Sequence, residues 1–448
     1  MWEEEKLTPI KDEKEFADHI IGINQPIGEI VFSGLSISYL DFQYNFSLPF
    51  EDNKLWEKFL ADLHPNQRAL ILLGKNQHQM ILRNCRFSES FQLRKKVQSK
   101  LVIHNCKFVG EFKIPNISFE AKLKVRHCHF NRVNFYNTKF IELADFYSCH
   151  FHKRLIFLKT DFKETTVFSG STFYENVLFT YTLIEKLIIL RGTTFKKGLD
   201  LSTAILSGEL NCFGIRLENF RSLKIEKKLN MFLSTDKRLG HYEMFYDNAI
   251  TKVAKIPIEN KIETYRIIKQ RLISQNNSIA SVPFNALEKS AHFWRKIYSL
   301  IPRVAIEKDV TIFSKNARNL CNWTNSIFEI ILLFLNYISN GHGKSYSRGV
   351  LFTFGISAIF FNLSLIFTSN YEYTSHFNEW HWCLTWTEFD YFVQSILPIH
   401  NFDYLLQVDE TGKSKFKLEK GYYAIDFLGR IFIGYGIYQT IQAFRKYK

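Results

Sequence analysis

Between residues 82 and 220 the large apolar side chains recur at a spacing that fits neither a helix nor a simple strand. Phe130, Phe135, Phe140, Phe146, Phe151, Phe157, Phe162, Phe168, Phe173 and Phe179 follow one another in steps of five and six. A helix needs steps of three and four, and a strand alternates by two over short runs. The series extends back through Phe119, Phe108 and Phe87. It continues forward through Ile184, Leu190, Phe195, Ile205, Ile215 and Phe220. Two residues before many of these stands a small or branched side chain, as at Cys85, Cys106, Cys128, Thr138, Ala144, Cys149, Thr160, Thr166 and Ser171.

A solenoid with four-sided coils accounts for this pattern. Each five- or six-residue unit forms one side, with the aromatic and its small neighbour pointing inward. Four sides make a coil of 21 or 22 residues, so Cys85, Cys106, Cys128 and Cys149 stack on one another. These thiols are expected to be buried core groups. None lies in a C-x-x-C pair, so no zinc or dithiol site is expected, and no cofactor.

The units Phe146-Tyr147-Ser148-Cys149-His150-Phe151, Phe157-Leu158-Lys159-Thr160-Asp161-Phe162 and Phe168-Ser169-Gly170-Ser171-Thr172-Phe173 resemble the Phe-rich variant of the pentapeptide-repeat family. The resemblance implies a right-handed quadrilateral β-helix over residues 81–222, of about six coils. Residues 1–80, with strand-like stretches at Ile30–Phe32 and Leu35–Phe42 that suit an irregular first coil and a helix expected over Glu51–Leu63, read as the N-terminal cap.

Beyond Leu223 the ladder stops. Residues 223–325 read as an α-helical linker, a helical hairpin turning at Asn276-Asn277-Ser278 with a capping or connecting role. Residues 326–448 read as a two-span α-helical membrane domain. Val350–Thr368 is 19 residues without a charge, enough to cross a bilayer at 1.5 Å per residue. Tyr422–Phe444 is the second span, carrying Asp426 and Arg430 four residues apart on one helix face. Residues 326–338 are expected to form a short interfacial helix. Residues 386–400 are expected to form a re-entrant element, a short amphipathic helix ending in Pro398-Ile399-His400.

Ionisable side chains at membrane depth are functional candidates by default. Asp426, Arg430, Glu388, Asp390 and His400 are therefore the candidates for a pore or ion pathway. Gly429, Gly434, Gly436 and Thr440 are the candidates for close helix packing or a hinge. The segment Glu263-Thr264-Tyr265-Arg266-Ile267-Ile268-Lys269, the run Leu397-Pro398-Ile399-His400 and the terminal stretch Phe427–Lys446 look similar to a membrane-associated branch of the same family. The helix, short helix, helix layout resembles two-transmembrane ion channels, without a T-x-G-Y-G filter after the short helix. That branch has no reaction attached, and no enzyme is expected.

The formal charge of +14 excludes an acidic DNA-mimicking surface and favours an anionic partner. The partners expected are the lipid bilayer, further copies of the chain in a homo-oligomer, and a cytoplasmic protein on the solenoid; nucleic acid is disfavoured. The acidic start Met1-Trp2-Glu3-Glu4-Glu5 has no signal-peptide pattern. Basic residues flank both spans, at Lys344 and Arg348 and at Arg445 and Lys446. The expectation is a bacterial inner-membrane protein with both the solenoid and the C-terminus in the cytoplasm. A non-conducting scaffold that presents the solenoid is the alternative. Two weaker patterns were set aside. Gly341-His342-Gly343-Lys344-Ser345 lacks the first glycine of a phosphate-binding loop, and His376, Glu379, His381 and Cys383 match no common metal spacing.

Overall fold

The computed structural model describes residues 8–10, 29–33, 35–37, 40–42, 79–88, 90–93, 97, 100–223, 255–300, 312–368, 386–401, 405 and 418–445. It divides into two compact units, Met1–Ser281 and Val282–Lys448.

The first unit is a β-solenoid. Its short strands join successive coils into parallel sheets of 11, 8, 5 and 3 strands, which form four walls. From Gln79 to Leu217 equivalent residues lie 21 or 22 positions apart. On one wall Phe87 pairs with Phe108, Phe108 with Phe130, Phe130 with Phe151 and Phe151 with Phe173. The rings of each such column lie nearly parallel, as for Phe146 on Phe168 at 5.1 Å and Phe173 on Phe195 at 5.0 Å. Neighbouring columns meet edge to face, so the interior is filled by two favourable ring geometries at once. All ten phenylalanines from Phe130 to Phe179 are buried, as are the four stacked cysteines.

At Thr138, Cys149, Thr160, Ser171 and Thr193 the small residue two places before a ring has a second task. Its hydroxyl or thiol donates to a carbonyl of the preceding coil: Thr138 to Ile114, Thr160 to Phe135, Ser171 to Phe146, Thr193 to Phe168 and Cys149 to Val125. The choice of Cys, Ser or Thr thus combines a volume that fits beside a ring with a donor that ties coil to coil. Burial raises the Cys106 and Cys128 thiols well above their ordinary range, which keeps them protonated donors.

Two corners turn through left-handed backbone. One column holds Asn84, Asn105, His127, Ser148, Gly170, Gly192 and Gly214, all at φ between 52° and 69°. The other holds Asn116, Asn137, Lys159 and Tyr181. Asparagine and glycine are the residues that tolerate this conformation best. The Asn105 amide donates to Asn84 at 2.7 Å and Asn137 to Asn116 at 3.0 Å, so the corners form side-chain ladders of their own.

One sequence expectation shifts. The forward series shifts at Ile205 and Ile215: Ile205 is 54% exposed, and Ile215 is half-buried one coil on from Thr193. The 22-residue pairing places Leu206 opposite Ile184, Leu210 opposite Ile188 and Leu217 opposite Phe195. In these last coils the pairing holds at 22 residues; counting by five and six slips, once leucines replace phenylalanine and several apolar residues compete for one slot. The N-terminal segment contributes strands, as its strand-like stretches suggest. Glu29–Ser33 pairs with Gln79–Arg83, Leu35–Ile37 with Arg86–Phe87, and Leu40–Phe42 with Phe91–Leu93, so it carries strands of the solenoid itself. The helix expected over Glu51–Leu63 lies outside the described residues.

The final coil is closed by helix α1 (Ile258–Ser274), whose chain enters by pairing Ile256–Pro257 with Ser222–Leu223. Ile262, Tyr265, Ile268 and Leu272 recur at helical spacing and are buried. The polar side chains of α1 serve backbone groups left open on the last coil. Thr264 Oγ1 accepts from Leu201 N–H at 3.0 Å. Lys261 donates to the Phe220 carbonyl at 2.7 Å, Arg271 to Leu206 and Gln275 to Leu210. The Glu-Thr-Tyr-Arg segment therefore supplies a lid: Thr264 and Tyr265 face the coil, and Glu263 and Arg266 pair outside at 2.8 Å.

The second unit is helical. Helix α2 (Ser278–Leu300) is followed by α3 (Ile312–Asn340), α4 (Tyr346–Ile366), α5 (Trp386–Ile396) and α6 (Lys420–Phe444). The helix expected at 326–338 is thus the end of a 29-residue helix that begins within the segment read as linker. Among the described residues α4 is the one helix long and apolar enough to cross a membrane. Helix α6 coincides with the second expected span but, with Lys420, Asp426 and Arg430 and many Tyr and Gly, does not reach that apolarity.

Candidate functional site

The site is built where α4, α5 and α6 meet. Helices α4 and α6 run antiparallel along a seam of small residues. A Cβ at Gly349 would stand 2.5 Å from Thr440 Oγ1, and one at Gly436 the same distance from Thr353 Oγ1, so these glycines set the approach of the two backbones. Further along, Gly429 lies against Phe360, while Gly434 has nothing within 4 Å of its Cβ position. Of the four packing candidates, Gly429, Gly436 and Thr440 thus sit in the seam and Gly434 does not. Tyr346 stacks on Phe444 at 4.7 Å and Phe360 on Phe432 at 5.6 Å, which aligns the helices over their whole length.

Helix α5 rests on α4 through Phe392 and Phe361, in a cluster with Leu365, Leu405 and Tyr422. The segment that carries α5 leaves and returns at one point. Thr368 and Leu418 form an antiparallel bridge, and Glu419 N–H donates to the Phe367 carbonyl at 3.0 Å.

At the end of α5 the chain turns through Leu397-Pro398-Ile399 and delivers His400 to α6. His400 Nε2 lies 2.8 Å from Asp426 Oδ1, and Arg430 Nε donates to Asp426 Oδ2 at 2.8 Å. The His400 and Asp426 side chains are each 5% exposed and Arg430 is 17% exposed. His400 Nδ1 lies at 2.5 Å from the Leu397 carbonyl. Both ring nitrogens therefore face oxygen atoms. The i,i+4 spacing of Asp426 and Arg430 foretold their pairing; the arrival of His400 from 26 residues away did not follow from spacing.

Three of the five ion-pathway candidates are thus brought together. Asp390 is exposed on α5, and the Glu388 side chain lies outside the described residues. A second buried polar contact joins α3 to α6, where Asn340 Nδ2 donates to Gln439 Oε1 at 2.6 Å and to the Gln439 carbonyl at 3.1 Å. Sequence reading missed it; a polar pair at the ends of two apolar helices is its only signal. Among the described residues no group of three His, Cys, Asp or Glu side chains is placed to hold a metal ion. The loop at Gly341–Gly343 turns the chain between α3 and α4, with Gly343 N–H donating to Asn340 Oδ1. Burial, with Lys289 and Lys344 nearby, lowers His342 to about 4.

The distribution of side chains around these helices is inverted. The buried face of α4 is Gly349, Thr353, Ser357, Phe361, Ser364 and Leu365. Its exposed face includes Leu351 at 71%, with Phe354, Ile359 and Ile366. Thr353, Ser357 and Ser364 satisfy their hydroxyls on carbonyls three or four residues back, so the inward polar groups need no water. Phe427, Ile431 and Ile441 of α6, and Phe328, Leu332 and Tyr337 of α3, likewise face outward.

No protein-family model, no curated protein and no solved structure matches the chain.

Proposed function

We propose that the chain is a membrane-embedded, homo-oligomeric channel-like protein whose pentapeptide-repeat solenoid serves as a cytoplasmic sensing or interaction domain. The observation that carries this reading is the α4–α5–α6 arrangement. Two long helices with apolar outer faces bracket a short helix whose terminal loop is held to the second by buried ionisable groups. Small residues inside and large apolar residues outside are what a lipid solvent selects, because lipid gives no hydrophobic reward for burying leucine. Helix α4 is the first span. Helix α6 is the second, its charged pair turned to His400 rather than to lipid. Lys344 before α4, Arg348 in its first turn and Arg445 after α6 support an orientation with both ends of the hairpin on the cytoplasmic side of a bacterial inner membrane. One such hairpin cannot enclose a pore, so conduction requires self-assembly.

One observation favours the alternative of a non-conducting anchored scaffold. Both carboxylate oxygens of Asp426 are engaged, which suits a structural lock as well as an ion path. Purified protein in planar bilayers separates the two. The channel reading expects unitary currents, changed in amplitude by Asp426→Asn, and oligomers on crosslinking in native membranes. A silent bilayer at all voltages together with a monomer on crosslinking would refute it.

A further inference from the structure

The solenoid is electrically lopsided. Residues 81–160 hold sixteen Lys and Arg against five Asp and Glu, whereas residues 161–223 hold seven of each. In the later coils charges are matched across coils: Lys163 with Glu185, Lys186 with Glu164, Lys196 with Glu218 and Lys197 with Glu175. In the earlier coils Arg126 pairs with the buried Asp145 at 2.7 Å, and the surplus of Lys and Arg is set in register with histidines. Arg86, Lys107, His129 and His150 form one outward row. Arg83, His104, Arg126 and Tyr147 form another on the adjoining wall. The two rows flank the left-handed corner at Asn84, Asn105, His127 and Ser148. Arg132 and Lys153 add exposed charge on the first of these walls, and Lys124, half-buried, adds charge on the second.

We propose that this ridge of the first coils is a docking surface for an anionic lipid bilayer. The rows lie on flat walls meeting at an outward corner. That shape suits a broad headgroup layer and offers no cleft to enclose a nucleic-acid strand. Two pairs of rings beside the ridge stack on each other: His129 on His150 at 4.5 Å and His152 on Tyr174 at 4.8 Å, each within 11° of parallel. The faces these pairs share are withheld from bases, which single-strand binders need. Burial and neighbouring positive charge hold His129 to about 4, so at neutral pH the attraction is carried by Lys and Arg. The choice of a bilayer as occupant rests on the membrane reading above, since a tethered solenoid meets a lipid surface at high effective concentration.

The test uses the full chain with vesicles of phosphatidylcholine, with or without phosphatidylglycerol, and lysine footprinting by mass spectrometry. Lys107, Lys124 and Lys153 should be labelled severalfold more slowly when phosphatidylglycerol is present, and high salt should abolish the difference. Lys186 and Lys197 should not change. The triple variant Arg83→Gln, Arg132→Gln, Lys153→Gln should weaken docking by roughly a hundredfold at the usual strength of a basic residue near an anionic leaflet. Lys163→Gln, Lys186→Gln, Lys196→Gln, with the same change of charge, should not. Equal labelling in the two vesicle types, with the protein still embedded, would overturn the docking surface and leave the membrane reading intact. Protection that appears only when RNA or duplex DNA is added would overturn it in favour of a nucleic-acid partner. Loss of the protein from neutral vesicles after an alkaline wash would instead refute membrane embedding. Salt-sensitive sedimentation of the soluble protein with phosphatidylglycerol vesicles would then still support docking, and its absence would overturn it.

Discussion

The contact between His400 and Asp426 decides how the short helix is held, and its strength can be measured by a double-mutant cycle. Asp426→Asn preserves shape but leaves a single acceptor oxygen for two donors, His400 Nε2 and Arg430 Nε, each now at 2.8 Å from its own oxygen. The amide nitrogen would face one of those donors. Breaking one partner of a buried pair costs about 3–5 kcal/mol, against about 0.2–1 kcal/mol for an exposed pair. With both side chains only 5% exposed, the buried figure applies. His400→Gln removes the other partner, and the double variant gives the coupling, expected at about 1–3 kcal/mol. Denaturant unfolding of the full chain in detergent supplies the energies, and hydrogen exchange shows where they are lost. A loss of about 3 kcal/mol confined to the loop would speed exchange at residues 397–401 by roughly a hundredfold. Coupling near zero with unchanged exchange in that loop would refute the claim that the triad fixes the end of α5.

Further outcomes follow from the solenoid. Phe146→Ala, which removes a ring stacked on Phe168 and touching Phe135, Phe140 and Phe151, should cost about 3–5 kcal/mol, whereas Tyr147→Ala, 43% exposed, should stay within about 0.5 kcal/mol in the same unfolding assay. Lys159→Asn and Tyr181→Asn relieve left-handed strain and continue the Asn116–Asn137 ladder; each should raise the unfolding midpoint, by about 0.5–1 kcal/mol in stability. His129 titrates near 4 when folded and near 6.5 when unfolded, because of burial and the neighbouring His150, His152 and Lys107. The unfolded chain therefore takes up more protons between those values, so stability should fall as pH drops from about 6.5 to about 4 and stay level above. His129→Gln should flatten that slope in urea titrations.

The coil and its interior were legible because stacked rings of one kind impose a period that no helix or hairpin shares. Legibility faded where leucines took over: around Ile205 two neighbouring apolar residues could each fill the inward slot, and only pairing with Ile184 selected Leu206. The left-handed corners carry a signal that went unread, an Asn or Gly directly before the inward small residue in most coils. Asp426 and Arg430 were foreseen as a pair since helix geometry fixes their distance. His400 was foreseen as a candidate but not as their partner, because its approach depends on how residues 369–417 return to Thr368, which no local period encodes. The pairing of Gly349 with Thr440 escaped for the same reason, being a match between two helices rather than a pattern within one.

A stack of parallel strands has two ends, and each end is a template on which a further chain could crystallise by adding rungs. At the Leu223 end α1 occupies that template with its own side chains, taking up the Leu201 amide and the Leu206, Leu210 and Phe220 carbonyls. Growth of the rod is thereby ended by the same polypeptide that begins it. Any event that peeled α1 away would convert a finite rod into a seed for fibres.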